Sequence, residues 1–145
     1  MSKKSQKQNT TTNKSIINII FEYDEYENHV ISDHKRINVS YKYKKKTDTF
    51  LVKYDGQEVE VDAEDDESGC EIAQILPEEL DIGCPMSALE STIFGTLQGG
   101  NEINRKKLDG AIFKINEDVP TITLTNGKIV TFPNTGSAYM SFSIL

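Results

Sequence analysis

The sequence has no tryptophan, two cysteines, two histidines and four prolines. Each scarcity removes a class of protein. Cys70 and Cys84 match no zinc-binding or redox spacing and read as reduced thiols of a cytoplasmic protein. His29 and His34 lie five residues apart in an acidic stretch with no third ligand beside them, so neither a metal nor another cofactor is expected. The acidic run from Asp62 to Ser68 places Gly69 at position eight of a would-be calcium loop, which needs glycine at position six. No apolar run approaches the roughly 18–20 residues that cross a membrane, and the N-terminal lysines precede no apolar leader segment. There is no nucleophile motif, and the glycines at 95, 99 and 100 close a helical pattern rather than open one. No catalytic residue is identified, and the chain does not read as an enzyme.

Charge of one sign is missing block by block. Residues 55–90 hold thirteen acids and no Lys or Arg, and residues 22–34 hold five acids and no Lys or Arg. Residues 35–53 hold seven bases and one acid, and residues 1–14 hold four lysines and no acid. The net charge of −7 therefore averages over segregated blocks. Such blocks give a local potential opposite in sign to the total.

Residues 1–15 are polar and low in complexity, and are expected to be disordered in the free chain. Residues 16–145 form one domain, mainly β with one or two short helices. Ile16 to Tyr23 reads as the first strand, with Ile17, Ile19, Phe21 and Tyr23 on one face, and Asp24 to His34 as an acidic connection. Ile37 to Lys44 alternates as a second strand, followed by a loop at residues 45–48. Asp55-Gly56 is a two-residue turn signal. Folding about it sets Tyr54 opposite Gln57, Lys53 opposite Glu58, Val52 opposite Val59 and Phe50 opposite Val61, like with like and charge with counter-charge. Glu71 to Leu80 fits either a strand or a helical turn, ended by Pro77. Ser87 and Glu90 form a capping box, Met86, Leu89, Ile93 and Leu97 follow helical spacing, and Gly99-Gly100 stops the helix. Asn101 to Leu108 adds a short helical turn. Ala111–Ile115, Thr121–Thr125 and Lys128–Phe132 read as strands, the last two joined by Asn126-Gly127 with Thr125 opposite Lys128, Leu124 opposite Ile129 and Thr123 opposite Val130. Tyr139 to Leu145 supplies a final strand.

The candidate site follows from the basic block. Lys42, Lys44, Lys45, Lys46 and Lys53 interleave with Tyr41, Tyr43 and Tyr54 on two consecutive hairpins. Cations meet phosphates and rings offer faces to bases, a combination suited to single-stranded nucleic acid. Tyr41 and Tyr43 share a face with Ile37 and Val39, so alternation leaves two assignments open for them, core or stacking platform. Arg105, Lys106 and Lys107 are a second basic cluster. Lys3, Lys4, Lys7 and Lys14 make the N-terminal segment an arm for DNA or for self-association, or else a dispensable terminus.

The strand–helix–strand order, the helix CPMSALESTIFGTL followed by LDGAIFKI, the lysine/aromatic hairpin and the basic tail resemble the OB-fold single-stranded DNA-binding proteins, in particular the small ones of phages and of conjugative plasmids in Gram-positive bacteria. The resemblance implies an OB-type five-stranded barrel with a helix between strands three and four. It also implies sequence-tolerant binding of single-stranded DNA in replication, protection or transfer. The chain departs from the housekeeping bacterial binders at its end, SFSIL, which is not an acidic recruitment peptide. Two other readings stand beside it: an acidic protein-binding module that mimics DNA toward a basic partner, and a structural phage protein.

Overall fold

The structure, a computed structural model, describes residues 16–62, 75–80, 82–115 and 119–132. The tail, its four lysines, the acidic stretch after Asp62 with Cys70, and the final strand expected at Tyr139–Leu145 lie outside the described residues.

Among the described residues seven strands form one sheet: β1 (Ile16–Glu27), β2 (Val30–Lys44), β3 (Thr49–Tyr54), β4 (Gln57–Asp62), β5 (Ala111–Ile115), β6 (Thr121–Thr123) and β7 (Ile129–Thr131). Their order across the sheet is β4-β3-β2-β1-β5-β6-β7. All neighbours are antiparallel except β1 and β5. That parallel pair needs a long crossover. Among the described residues the crossover runs through β2, β3 and β4, a 3-10 turn at Glu78–Leu80, helix α1 (Cys84–Gly99) and helix α2 (Glu102–Leu108). The fold is mainly β, but the described strands make an open sheet rather than the expected five-stranded barrel, and the helices lie between the fourth and fifth strands.

One face of the sheet is core. Ile17, Ile19, Phe21 and Tyr23 of β1 alternate into it and are buried, as are Val39 and Tyr41 of β2, Phe50 and Val52 of β3, and Phe113 of β5. Helix α1 covers β1 and β2 on that side, burying Met86, Leu89, Ile93 and Leu97, the four residues of its apolar stripe. Phe94 of α1 stacks on Phe50 with ring centres 4.4 Å apart and meets Tyr41 edge-on at 6.0 Å. Such ring pairs add about 0.5–1.5 kcal/mol each to their burial. The opposite face carries Ile16, Asn18, Ile20, Glu22 and Asp24 of β1, all half-buried.

Four local expectations resolve instructively. The Asp55-Gly56 hairpin has the expected register pair for pair, and both turn residues have positive φ, 49° and 76°. The β6–β7 register differs by one residue: Thr123 lies opposite Ile129 and Ile122 opposite Val130. The loop holds three residues rather than two. Gly127 N–H donates to Leu124 C=O, Leu124 N–H donates to Lys128 C=O, and Gly127 takes φ 91°, which suits glycine at the bulge position. This register keeps Ile122 buried and Val130 packed against the core. Helix α1 starts one turn before the expected capping box, with Gly83 at its N-cap, Pro85 in its first turn and no side-chain cap. Ser87 is already helical, its N–H bonded to Gly83 C=O.

The fourth difference is the largest. Asp24–His34 is not a connection but the outer half of a long β1–β2 hairpin. Asn28 and His29 form its turn with φ 53° and 67°, a conformation Asn tolerates more readily than most residues. β5 pairs with β1 only as far as Tyr23, and β3 pairs with β2 only down to Ser40. The outer ribbon therefore pairs only with itself among the described residues. Cross-strand charges support it: Arg36 lies 3.4 Å from Glu22, Lys35 is 3.4 Å from Glu25, and His34 contacts Asp24.

Candidate nucleic-acid interface

The lysine-bearing segment is the turn from β2 to β3. Asp48 takes φ 53° there and anchors the turn by accepting a hydrogen bond from the Tyr43 hydroxyl and another, at 3.3 Å, from Gln98 Nε2 of α1. Lys45 and Lys46 are exposed on this fixed turn, and neither makes an ion pair among the described residues. Lys42 projects on the face opposite the core, its neighbours across the strands being Ile16 and Leu51, which its alkyl stem can cover while the ammonium reaches water.

The other two candidate lysines are already engaged. Lys44 Nζ lies 2.8 Å from Glu60 and Lys53 Nζ lies 3.4 Å from Glu58. The hydrogen bond from Lys44 holds the Glu60 carboxyl below the usual carboxylate range.

The tyrosines divide. Tyr41 cannot stack on a base: it is fully buried between the sheet and α1. Alternation put it with Val39, and that face is the one α1 covers. Burial, with the nearby Glu90 charge second, pushes its hydroxyl well above the usual range. Tyr43 is half-buried against Phe50, its hydroxyl committed to Asp48, and that hydrogen bond is the main cause of its raised pKa. Tyr54 is half-buried against the core, and burial followed by the Asp55 charge raises its pKa.

The second basic cluster sits on α2. Asn101 caps this helix, accepting from Asn104 N–H at 3.1 Å, and the three cations occupy its last turn, where they face the negative end of the helix dipole. Arg105 is buried, Lys106 is exposed and Lys107 is half-buried. Two contacts fix where α2 ends. Asp109 accepts from Asn18 N–H at 2.9 Å, and Thr125 Oγ1 donates to Lys106 C=O at 2.7 Å. Asn18 is two residues into β1, whose first residue pairs with Lys42. Both basic clusters therefore lie at the same end of the sheet, on either side of β1.

The acidic hairpin is the feature that reasoning from sequence missed. Tyr26, Val30 and Ile31 are exposed on it, and a cavity of about 390 Å³ at its base is lined by Glu22, Asp24, His34, Arg36 and Lys114 among others. The turn residues Asn28-His29 were the available signal. Among the described residues no group of His, Cys, Asp or Glu is placed to hold a metal ion, and no helix is long and apolar enough to cross a membrane. Comparison with protein-family models, curated proteins and solved structures finds no match, so the reading of this chain rests on its own geometry.

Proposed function

We propose that the protein binds single-stranded nucleic acid, DNA by the resemblance of its sequence, with little sequence preference and through phosphate contacts at the basic end of the sheet. One observation carries the reading: residues 42–46 and 105–107, far apart in sequence, come to one sheet end, with Lys45, Lys46 and Lys106 exposed there. Phosphate contacts position a strand without reading its sequence. Tyr41 drops out of the interface and Tyr43 stays as a ring contact at its margin, whereas Lys53 and Tyr54 lie at the other end of β3, beside the Asp55-Gly56 turn, and fall outside it. The chain enters β1 at this end, so the tail lysines precede the same surface. Protection or processing of single strands in replication or conjugative transfer is the role the resemblance implies.

The test is a fluorescence-anisotropy titration of labelled single- and double-stranded oligonucleotides at two salt concentrations. Affinity should favour the single strand and fall with salt, with a logarithmic slope of about −0.7 per phosphate contacted. Changing Lys45 and Lys46 together to Ala should weaken binding and flatten that slope while leaving thermal stability in place, because both side chains are exposed. No detectable binding at low salt would sink the proposal.

A second reading has its own observation. The exposed apolar residues of the acidic hairpin suit a protein-binding module whose partner is basic. Affinity for a basic protein with none for oligonucleotides would favour it.

A further inference from the structure

The outer β1–β2 ribbon is a two-stranded arm. Beyond Tyr23, where β5 stops pairing, it runs four more residues to Glu27, about 14 Å at the usual rise. A two-stranded ribbon is marginal alone in water. This one nonetheless exposes Tyr26 at 46%, Val30 at 67% and Ile31 at 44%. Tyr26 and Ile31 lie directly opposite one another beside a bulge at Glu25/Tyr26, where the Ser32 hydroxyl donates to Glu25 C=O. Residues 22–33 hold five acids and no Lys or Arg; Glu22 pairs with Arg36 and Lys114, Glu25 and Asp33 pair with Lys35, and Glu27 near the tip makes no ion pair among the described residues.

The opposite end of the sheet is the complement. Residues 42–46 and 105–107 hold seven cations, of which Lys44 is paired with Glu60 and Arg105 is buried, and Asp48, Glu102 and Asp109 are the acids beside them. The only other exposed large apolar side chains among the described residues are Ile103, 70% exposed on α2, and Ile129, 65% exposed beside the β6–β7 turn. That turn lies against the end of α2 through Thr125. One end of the molecule is thus acidic with an apolar tip, and the other is basic with apolar residues of its own.

We propose that the arm of one copy docks on the basic end of a second copy, along α2 and the β6–β7 turn. Acids of the arm face Lys106 and Lys128, and Tyr26, Val30 and Ile31 cover Ile103. The two surfaces differ, so the contact is heterologous, and repetition gives open chains rather than a closed dimer. This inference uses only the polarity of charge and apolar surface along the strand axis, and it shares α2 with the proposed nucleic-acid surface, so a bound strand and a docked arm compete there.

A charge swap in the full-length chain tests it by sedimentation velocity across a concentration series. Variant one carries Glu27→Lys and Asp33→Lys, and variant two carries Lys106→Glu and Lys128→Glu. All four side chains are exposed, and circular dichroism confirms the fold. The wild type should form species that grow with concentration and shrink with salt. Each variant alone should associate roughly tenfold more weakly or worse, and an equimolar mixture of the two should regain association, since each then offers the end its partner's arm needs. Ile31→Ser should weaken association without changing its salt dependence. A wild type that stays monomeric at every concentration overturns the proposal, as does a dimer that does not grow, or a mixture no better than either variant. Loss of association only when Lys3, Lys4, Lys7 and Lys14 are changed to Gln, with the charge-swap variants unaffected, also overturns it, because the tail is then the occupant.

Discussion

Replacing Tyr41 with Phe removes one oxygen atom from the core. The hydroxyl is buried and has no hydrogen-bond partner among the described residues. Burying such a group unpaired costs about 1–3 kcal/mol. The replacement leaves a gap of roughly 10–15 Å³, worth about 0.3 kcal/mol at ~24 cal/mol per Å³. The balance favours the variant by about 1 kcal/mol, a rise in Tm of about 3 °C for a chain of this size. The gain should widen at alkaline pH. Burial and Glu90 hold the Tyr41 pKa above its unfolded value near 10, so the unfolded chain ionises first. The wild type then keeps the full contribution of this group below that pH and loses it as pH rises, at about 1.4 kcal/mol per unit. The Phe variant has no such loss. Urea denaturation followed by circular dichroism at neutral pH and above pH 10 reads both effects. Destabilisation of about 1 kcal/mol or more at neutral pH would refute the argument by showing a hydrogen bond at the hydroxyl. Equal alkaline slopes for the two proteins would show an accessible ring and restore Tyr41 as a stacking candidate.

Gly56→Ala places a Cβ that meets nothing within 4 Å, so its cost is that of φ +76° alone, roughly 1–2 kcal/mol; an unchanged urea midpoint would mean the Asp55-Gly56 turn is not the one described. Glu60→Gln frees Lys44, so oligonucleotide affinity should rise in the anisotropy assay with stability barely altered; a fall would place Lys44 outside the interface. The Glu60 carboxyl is held below its usual range by Lys44, so whatever the pair contributes is present above the unfolded carboxylate pKa and lost as pH falls through the folded one. Thermal melts of the wild type and the Gln variant should therefore converge in acid.

The parts of the fold legible in the sequence are those where two independent signals agree. At Asp55-Gly56 the turn chemistry and the cross-strand matches demand one register, and that register forms. At Asn126-Gly127 the dipeptide likewise suggested a two-residue loop, but both Ile122 and Val130 belong on the core side, and a three-residue loop with a bulge is what satisfies both. The capping box at Ser87–Glu90 competed with Pro85 and Gly83, which start the helix earlier. The acidic stretch gave no apolar alternation, so its strands were invisible; they pair through charges and an Asn-His turn. The parallel β1–β5 pair, and hence the open sheet, depends on a crossover that no local signal encodes. The exposure of Lys45 and Lys46 was legible in the sequence, and the burial of the rings was not. Alternation grouped Tyr41 with Val39, but which face α1 covers is a tertiary fact.

The central claim is that the basic end of the sheet is where a nucleic acid strand lies. Nuclear magnetic resonance of the isotope-labelled protein, titrated with a short single-stranded oligonucleotide at low salt, tests it most directly. At a protein concentration below that of self-association, the account predicts amide shifts concentrated in residues 42–48, in α2 and in the β6–β7 turn, with the arm at residues 24–33 unmoved. Shifts centred on the arm, with the basic end silent, would contradict it.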